Sequence, residues 1–359
     1  MATFNGQLKV NEVIGALFNM IISQWVYADN IEGLDSSLVD AARVDGGMYG
    51  DTKLYIATDV LKSIEWGADD EAENLLQTHR PDAPKTQAIT LDVFRQIALT
   101  IDNYMSKRAF GDEYTFNMFN GTILGWVADT KKVYDNTTYN TFIGTHTATS
   151  ASQNINVSLP VVEGDNEATN RLQAQTIAQK IADIIVDLKD VSRDYNDNGF
   201  MRAFRPEDLV IVWNSDMYNK ITKLDLPTIF HKDGLLEDMK TYVLPAKYFG
   251  TLNGGAEAGT AAGTIRAADE VDADDGKHYF AGEALAEGAT ASVSYTVDPS
   301  IACKIMHKDS VPYMSAFEVG TSFFNPKSLT ENHYLTFGRN ELEHLANYPF
   351  ITVKATPAS

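Results

Sequence analysis

Between residues 10 and 25 apolar side chains recur at steps of three and four: Val10, Val13, Ile14, Leu17, Phe18, Ile21, Ile22 and Trp25. Asn11, Glu12, Asn19, Ser23 and Gln24 fall between them, which is the pattern of an amphipathic helix. Val26-Tyr27-Ala28 resembles a signal-peptide cleavage site, but the polar interruptions suit a surface helix better, and the stretch is too short to span a bilayer. Residues 1–47 are therefore expected to form a helical arm seeking an apolar partner surface. The arm includes a short helix over 35–44, with Asp35-Ser36 as its cap and Asp45-Gly46-Gly47 as its stop.

The period then changes to two. Polar and apolar residues alternate from Lys53 to Ile56, again from Ala88 to Val93, and onward through Ile97, Leu99 and Ile101. Between these runs lie the acidic stretch 69–73 and the turn-rich 80–84. The pattern predicts a long β-hairpin over 48–102 with an elaborated tip. A two-stranded ribbon is marginal alone in water, and its edges invite pairing with another chain. The hairpin is thus expected to lie across a neighbouring subunit, with Ile89, Leu91 and Val93 facing it. On this reading Leu91→Asp blocks assembly and leaves the subunit folded.

A long helix is predicted over 113–135, with Phe116, Phe119, Ile123, Val127 and Thr130 on one stripe and Gly121 and Gly125 four apart. Residues 137–158, rich in Thr, Ser and Asn, read as a loop plus an exposed strand. A second helix starts near Glu167, capped by Asp165 or Asn166, and buries Ile177, Ile181, Ile184, Ile185 and Leu188. The apolar run 209–213 predicts a buried strand, and Asn214-Ser215-Asp216 caps a helix over 217–223. Residues 250–299 are Gly- and Ala-rich, with nine acidic residues against Arg266 and Lys277, and read as an inserted loop or small β module. Strands return at 316–324, 333–337 and 350–353, giving an α+β chain.

Composition narrows the function. The 359 residues are 44% hydrophobic and 22% charged, enough for a buried core in two or three domains. Forty-nine acidic side chains against 29 basic ones give a net charge of −20. Such a surface repels phosphate, which argues against sequence-reading DNA binders and against adhesion to anionic membranes. The lone cysteine, Cys303, permits no internal disulfide, and in the apolar run 300–305 it reads as a buried structural thiol.

Tests for catalytic or binding motifs give little. Asp194-x-Asn196-x-Asn198-Gly199 matches the first half of a calcium-binding loop, but its twelfth position is Arg205 where a bidentate Glu is needed. The glycines near 254–260 lack the Gly-Lys-Ser/Thr ending of a phosphate loop, and neither a zinc His-Glu-x-x-His nor a Gly-x-Ser-x-Gly elbow occurs. No enzyme, cofactor or metal is expected.

The order of elements resembles the major capsid proteins of tailed bacteriophages (the Johnson fold), most like those of small podophages. The local match is Leu209-Val210-Ile211-Val212-Trp213-Asn214-Ser215-Asp216-Met217-Tyr218, followed by Phe230-His231-Lys232-Asp233-Gly234. The resemblance implies an N-terminal arm at 1–47 and an extended hairpin loop at 48–102. It further implies a peripheral domain with a spine helix from 103–164 and 316–359, and an axial α/β domain at 165–315 with an insertion at 250–299. It implies self-assembly, through pentamers and hexamers, into an icosahedral virion shell built in the host cytoplasm. That shell encloses double-stranded DNA without sequence-specific binding, with scaffolding, portal or decoration proteins as further partners and no membrane. Rival readings are an encapsulin-like compartment, an acidic calcium-dependent binding protein, and an enzyme assembled from scattered residues.

Overall fold

The computed structural model describes residues 33–46, 50–63, 78–102, 113–163, 166–222, 239–254, 271–272, 278–279 and 293–357. Along the chain run α1 (Ser37–Ala41), β1 (Arg43–Asp45), β2 (Thr52–Ala57), β3 (Lys85–Asp102), α2 (Glu113–Thr145), β4 (Asn154–Leu159) and α3 (Asn166–Lys189). There follow β5 (Leu209–Asn214), α4 (Ser215–Thr222), β6 (Lys240–Leu244), β7 (Gly250–Gly254), β8 (Val271–Asp272), β9 (His278–Tyr279) and β10 (Val293–Val297). The last strands are β11 (Ile301–His307), β12 (Tyr313–Asn325), β13 (Thr330–Asn340) and β14 (Phe350–Pro357). The helical pattern at 10–25, the acidic run 69–73 and the motif 230–234 lie outside the described residues.

An apolar strand such as β5 needs cover on both faces, and its neighbours supply it. It sits in a five-stranded sheet of order β4-β14-β11-β5-β6. Leu209, Ile211 and Trp213 meet Ile177, Ile181, Ile184, Ile185 and Leu188 of α3 on one face. Val210 and Val212 meet Tyr139 and Ile143 of α2, with Phe249 and Phe350, on the other. Asn214 then turns the chain into α4, its side-chain oxygen accepting from the Asp216 amide at 3.1 Å. Cys303 is fully buried in β11, and burial pushes its thiol upward in pKa, as fits a packing residue.

The second sheet has the order β1-β12-β13-β3-β2. Its central ladder pairs β3 with β13, from Thr330 opposite Asp102 to Asn340 opposite Leu91. The predicted hairpin is therefore not a free ribbon: only Lys85 to Thr90 of β3 pair with β2, and the remainder pairs with β13. The sheets also cut across the expected domain boundaries. β4 and β14, assigned to the peripheral part by sequence, both join the β5 sheet, where they pair with each other in parallel. The segment expected to be an insertion is flanked by the antiparallel pair β7 and β10.

Helix α2 continues ten residues beyond its predicted end at 135, through the Thr-rich segment read as loop. Threonine is a mediocre helix former, so it is packing that holds the helix here, with the hydroxyls merely satisfied within it. Thr137 and Thr145 each donate their hydroxyl to the carbonyl four residues back, at 2.7 Å. Tyr139 and Ile143 are wholly buried beneath the β5 sheet. Midway along the helix, buried Asp135 accepts from Tyr313 Oη (2.6 Å), Lys131 Nζ (3.0 Å) and Arg43 Nη2 (3.2 Å). One carboxylate thereby joins β12, α2 and β1. Helix α2 contacts both sheets, since Tyr134 packs edge-on to Phe337 of β13.

Candidate assembly surface

The alternation in β2 and β3 places side chains on two faces, and the structure shows which face is covered. Ile89 (3% exposed) and Leu91 (1%) are buried within the protomer, against Met314 of β12 and Leu345. The expectation that they face a neighbouring subunit is corrected: their own chain supplies the covering layer. The register shifts between Leu91–Asn340 and Val93–Arg339, so Asp92 is an extra residue in a β-bulge. Phe94, rather than Val93, therefore joins Leu91 in this cluster. Val93 is only half-buried and points to the opposite side.

The face left bare belongs to β2, an edge strand of its sheet. Leu54 is 59% exposed and Ile56 62% exposed. Opposite them on β3 stand only the small, exposed Ala88 and Thr86. Just beyond the strand, Val60 and Leu61 are also exposed. A flat edge carrying branched apolar residues is the feature soluble monomers avoid.

A second bare region lies at the far end of β12 and β13. The ladder is regular from Val319–Thr336 to Asn325–Thr330, so consecutive residues point to opposite faces. Phe323 is 63% exposed and Phe324 48% exposed. Two exposed neighbours of this kind leave apolar ring surface open on both faces of the ribbon at its outer edge. Val319 and Leu329 extend the patch, and Leu329 holds the turn with φ 56°. The strand expected at 316–324 carries the local signal of this patch, the Phe323-Phe324 doublet that breaks its alternation.

The base of the β2 arm is tied down where the calcium-like motif lies. Asp59 accepts the Met201 amide at 3.0 Å and Arg193 Nη1 at 2.7 Å. Those bonds, the Met201 amide first, hold its carboxyl at about 2. Arg202 Nη2 adds a bond to the Thr58 carbonyl at 2.6 Å. Within the motif, Asn196 exchanges hydrogen bonds with the backbone of Phe200 at 2.7 and 2.8 Å. Gly199 takes the left-handed conformation, φ 67°, that closes the turn. Asp197 accepts from the Ser150 amide (2.9 Å), the Thr149 amide (3.2 Å) and Gln153 Nε2 (2.7 Å). The motif's oxygen atoms thus serve the chain's own donors, as a structural turn. Among the described residues no group of three or more His, Cys, Asp or Glu side chains gathers as a metal site requires. Nor is any helix among them long and apolar enough to cross a membrane.

Comparison with known proteins agrees with this geometry. The chain is similar in fold to a protein in the capsid structure of Staphylococcus phage Andhra, with TM-score 0.61 and 10% identity over 99% of this chain and 96% of that one. It is likewise similar to a chain in the structure of head fiber and inner core protein gp22 of native bacteriophage P68, with TM-score 0.64 and 11% identity over 99% and 90% of the two chains. No curated protein matches the sequence. The family model for the Phi29-like phage major capsid protein matches residues 2–339. With that match over nearly its whole length, the chain belongs to the Phi29-like phage major capsid protein family and is a structural protein of the virion shell.

Proposed function

We propose that the two bare apolar regions, Leu54 with Ile56 on β2 and Phe323 with Phe324 on β12, are the strips through which copies of the chain join into the pentamers and hexamers of an icosahedral shell. The observation that carries the reading is the exposure of Phe323 and Phe324 on opposite faces of one ribbon. Burying the exposed remainder of either ring against a neighbour is worth about 1–2 kcal/mol, and a shell repeats that gain at every heterologous contact. The strips lie on different strands of one sheet, so one copy's strip meets a different surface on the next. The chain acts without catalysis. With a net charge of −20 its wall repels phosphate, so enclosed double-stranded DNA is held by confinement rather than by sequence-specific contacts. Scaffolding, portal and decoration proteins are the further partners of such a shell, and assembly takes place in the host cytoplasm. No observation favours a protein-cargo compartment or a calcium-dependent binder.

The test is Phe323→Ser combined with Phe324→Ser, followed by electron microscopy and size-exclusion chromatography with light scattering. The expected product melts like the wild-type subunit but forms no closed shells under conditions where wild type does. Normal shells from the double variant would sink the proposal.

A further inference from the structure

Three connections meet beside the joint between the two sheets. Residues 146–153 lead from α2 to β4, residues 193–199 form the turn after α3, and residues 341–349 carry the chain from β13 of one sheet to β14 of the other. We propose that His146, His344 and Asp197 form an acid-sensitive latch that holds these connections, and hence the joint, together.

The two imidazoles differ in their surroundings. Both ring nitrogens of His344 face oxygen: Nε2 lies 3.0 Å from the Tyr348 carbonyl and Nδ1 lies 3.7 Å from Asp197 Oδ2. His344 thus has an oxygen beside each ring nitrogen. His146 has no such provision. Its ring stacks on Phe142 with centroids 4.9 Å apart and meets Phe350 edge-on at 4.9 Å. Its Nε2 is buried without a hydrogen-bond partner among the described residues.

The neighbours of His146 also disfavour a charge there. Its ring centroid is 5.4 Å from that of His344. Lys304, fully buried on β11, donates to the His146 carbonyl at 2.8 Å and to Thr352 Oγ1 at 2.9 Å. Among the described residues the carboxylate facing it is Asp197, which already accepts from three donors of the 149–153 segment. Burial first, then His344 and Lys304, push the pKa of His146 down to about 4. Further out, His307 stacks on Tyr348 with Asp309 beside it at 3.7 Å, and Glu343 contacts Gln87 at 3.3 Å. A proton added to His146 thus finds no acceptor in place and is accommodated only if its ring moves away from these neighbours.

Separation acts directly on the hydrogen bonds of the joint. Gln87 of β3 donates to the His344 carbonyl at 2.9 Å and accepts the Ala346 amide at 3.1 Å. The Asp197 amide donates to the Ala346 carbonyl at 2.9 Å. These bonds link one sheet to the connection that enters the other, and all of them rest on the segment carrying His344. Helix α3 and strand β5 have no part in them.

Hydrogen exchange read by mass spectrometry on the full chain, between pH 7.5 and 4.5, tests the latch. After correction for intrinsic exchange, peptides covering 146–153, 193–199 and 341–349 should exchange at least tenfold faster at pH 4.5, while peptides of α3 and β5 keep their protection. In His146→Phe, whose ring can fill the slot between Phe142 and Phe350, that acid response should disappear. The same acid response in the variant would overturn the proposal. If His146→Phe does not fold, the wild-type profile decides: acceleration confined to the three connections supports the latch, and no acceleration, or an equal loss of protection throughout the chain, refutes it.

Discussion

Gly144 sits one residue from the end of α2, and replacing it with alanine tests how closely that helix is seated. A Cβ at this position would stand 2.0 Å from the Tyr248 carbonyl oxygen and 2.6 Å from its carbon. Ordinary carbon–oxygen contacts lie near 3.3–3.6 Å, so helix and turn must separate by about 1.3 Å. The atoms in the way are backbone, with no flexible side chain to swing aside. The turn carrying Tyr248 leads directly to Phe249, which is buried in the same cluster as Tyr139 and Ile143 of α2. Overpacking of this kind costs about 1–3 kcal/mol, and the rigid obstacle puts Gly144→Ala at the upper end. Better helix propensity returns roughly 1 kcal/mol. The expected balance is a loss of about 2 kcal/mol. Urea unfolding followed by intrinsic fluorescence reads it, with Trp213 buried in the adjoining sheet as a reporter. A lowered midpoint with unchanged slope is the expected result. A variant as stable as wild type, or more stable, would show that the helix does not abut the turn as described.

Two further outcomes separate folding from assembly and test the buried lysine. Leu91→Asp, placed in a side chain 1% exposed, should cost about 4 kcal/mol and yield insoluble protein, whereas Leu54→Asp on the bare edge should leave the melting temperature within a few degrees and abolish shells. A soluble, normally melting Leu91→Asp subunit would restore the view that this face meets a neighbour. Burial lowers Lys304 to about 7, with Lys354 contributing in the same direction. The unfolded chain, whose lysine titrates near 10.4, then binds more protons between these values, so stability rises as pH goes from 7 towards 10. Lys304→Met should flatten that rise in melting temperature, and an identical pH profile in the variant would contradict the assignment.

Local periodicity determined a good deal of this protein. The stripe Ile177, Ile181, Ile184, Ile185 and Leu188 is buried along α3 as its spacing requires. The unbroken run at 209–213 became a central strand covered on both faces, because a strand apolar at every position has no face to give to water. The order of elements is distinctive enough to point to phage capsid proteins. What remained open was which surface covers which. Alternation at 89, 91 and 93 marks two faces of a strand but carries no information about the layer above either one. Met314 and Leu345, more than 200 residues away in the chain, supply that layer. The bulge at Asp92, the insertion of β14 beside β4, and the continuation of α2 through a Thr-rich segment have the same origin. Each is fixed by partners distant in sequence, whose packing overrides a weak local preference. The exposure of Phe323 and Phe324 is likewise a tertiary fact, since a phenylalanine pair in a strand looks the same whether its cover comes from its own chain or from the next copy.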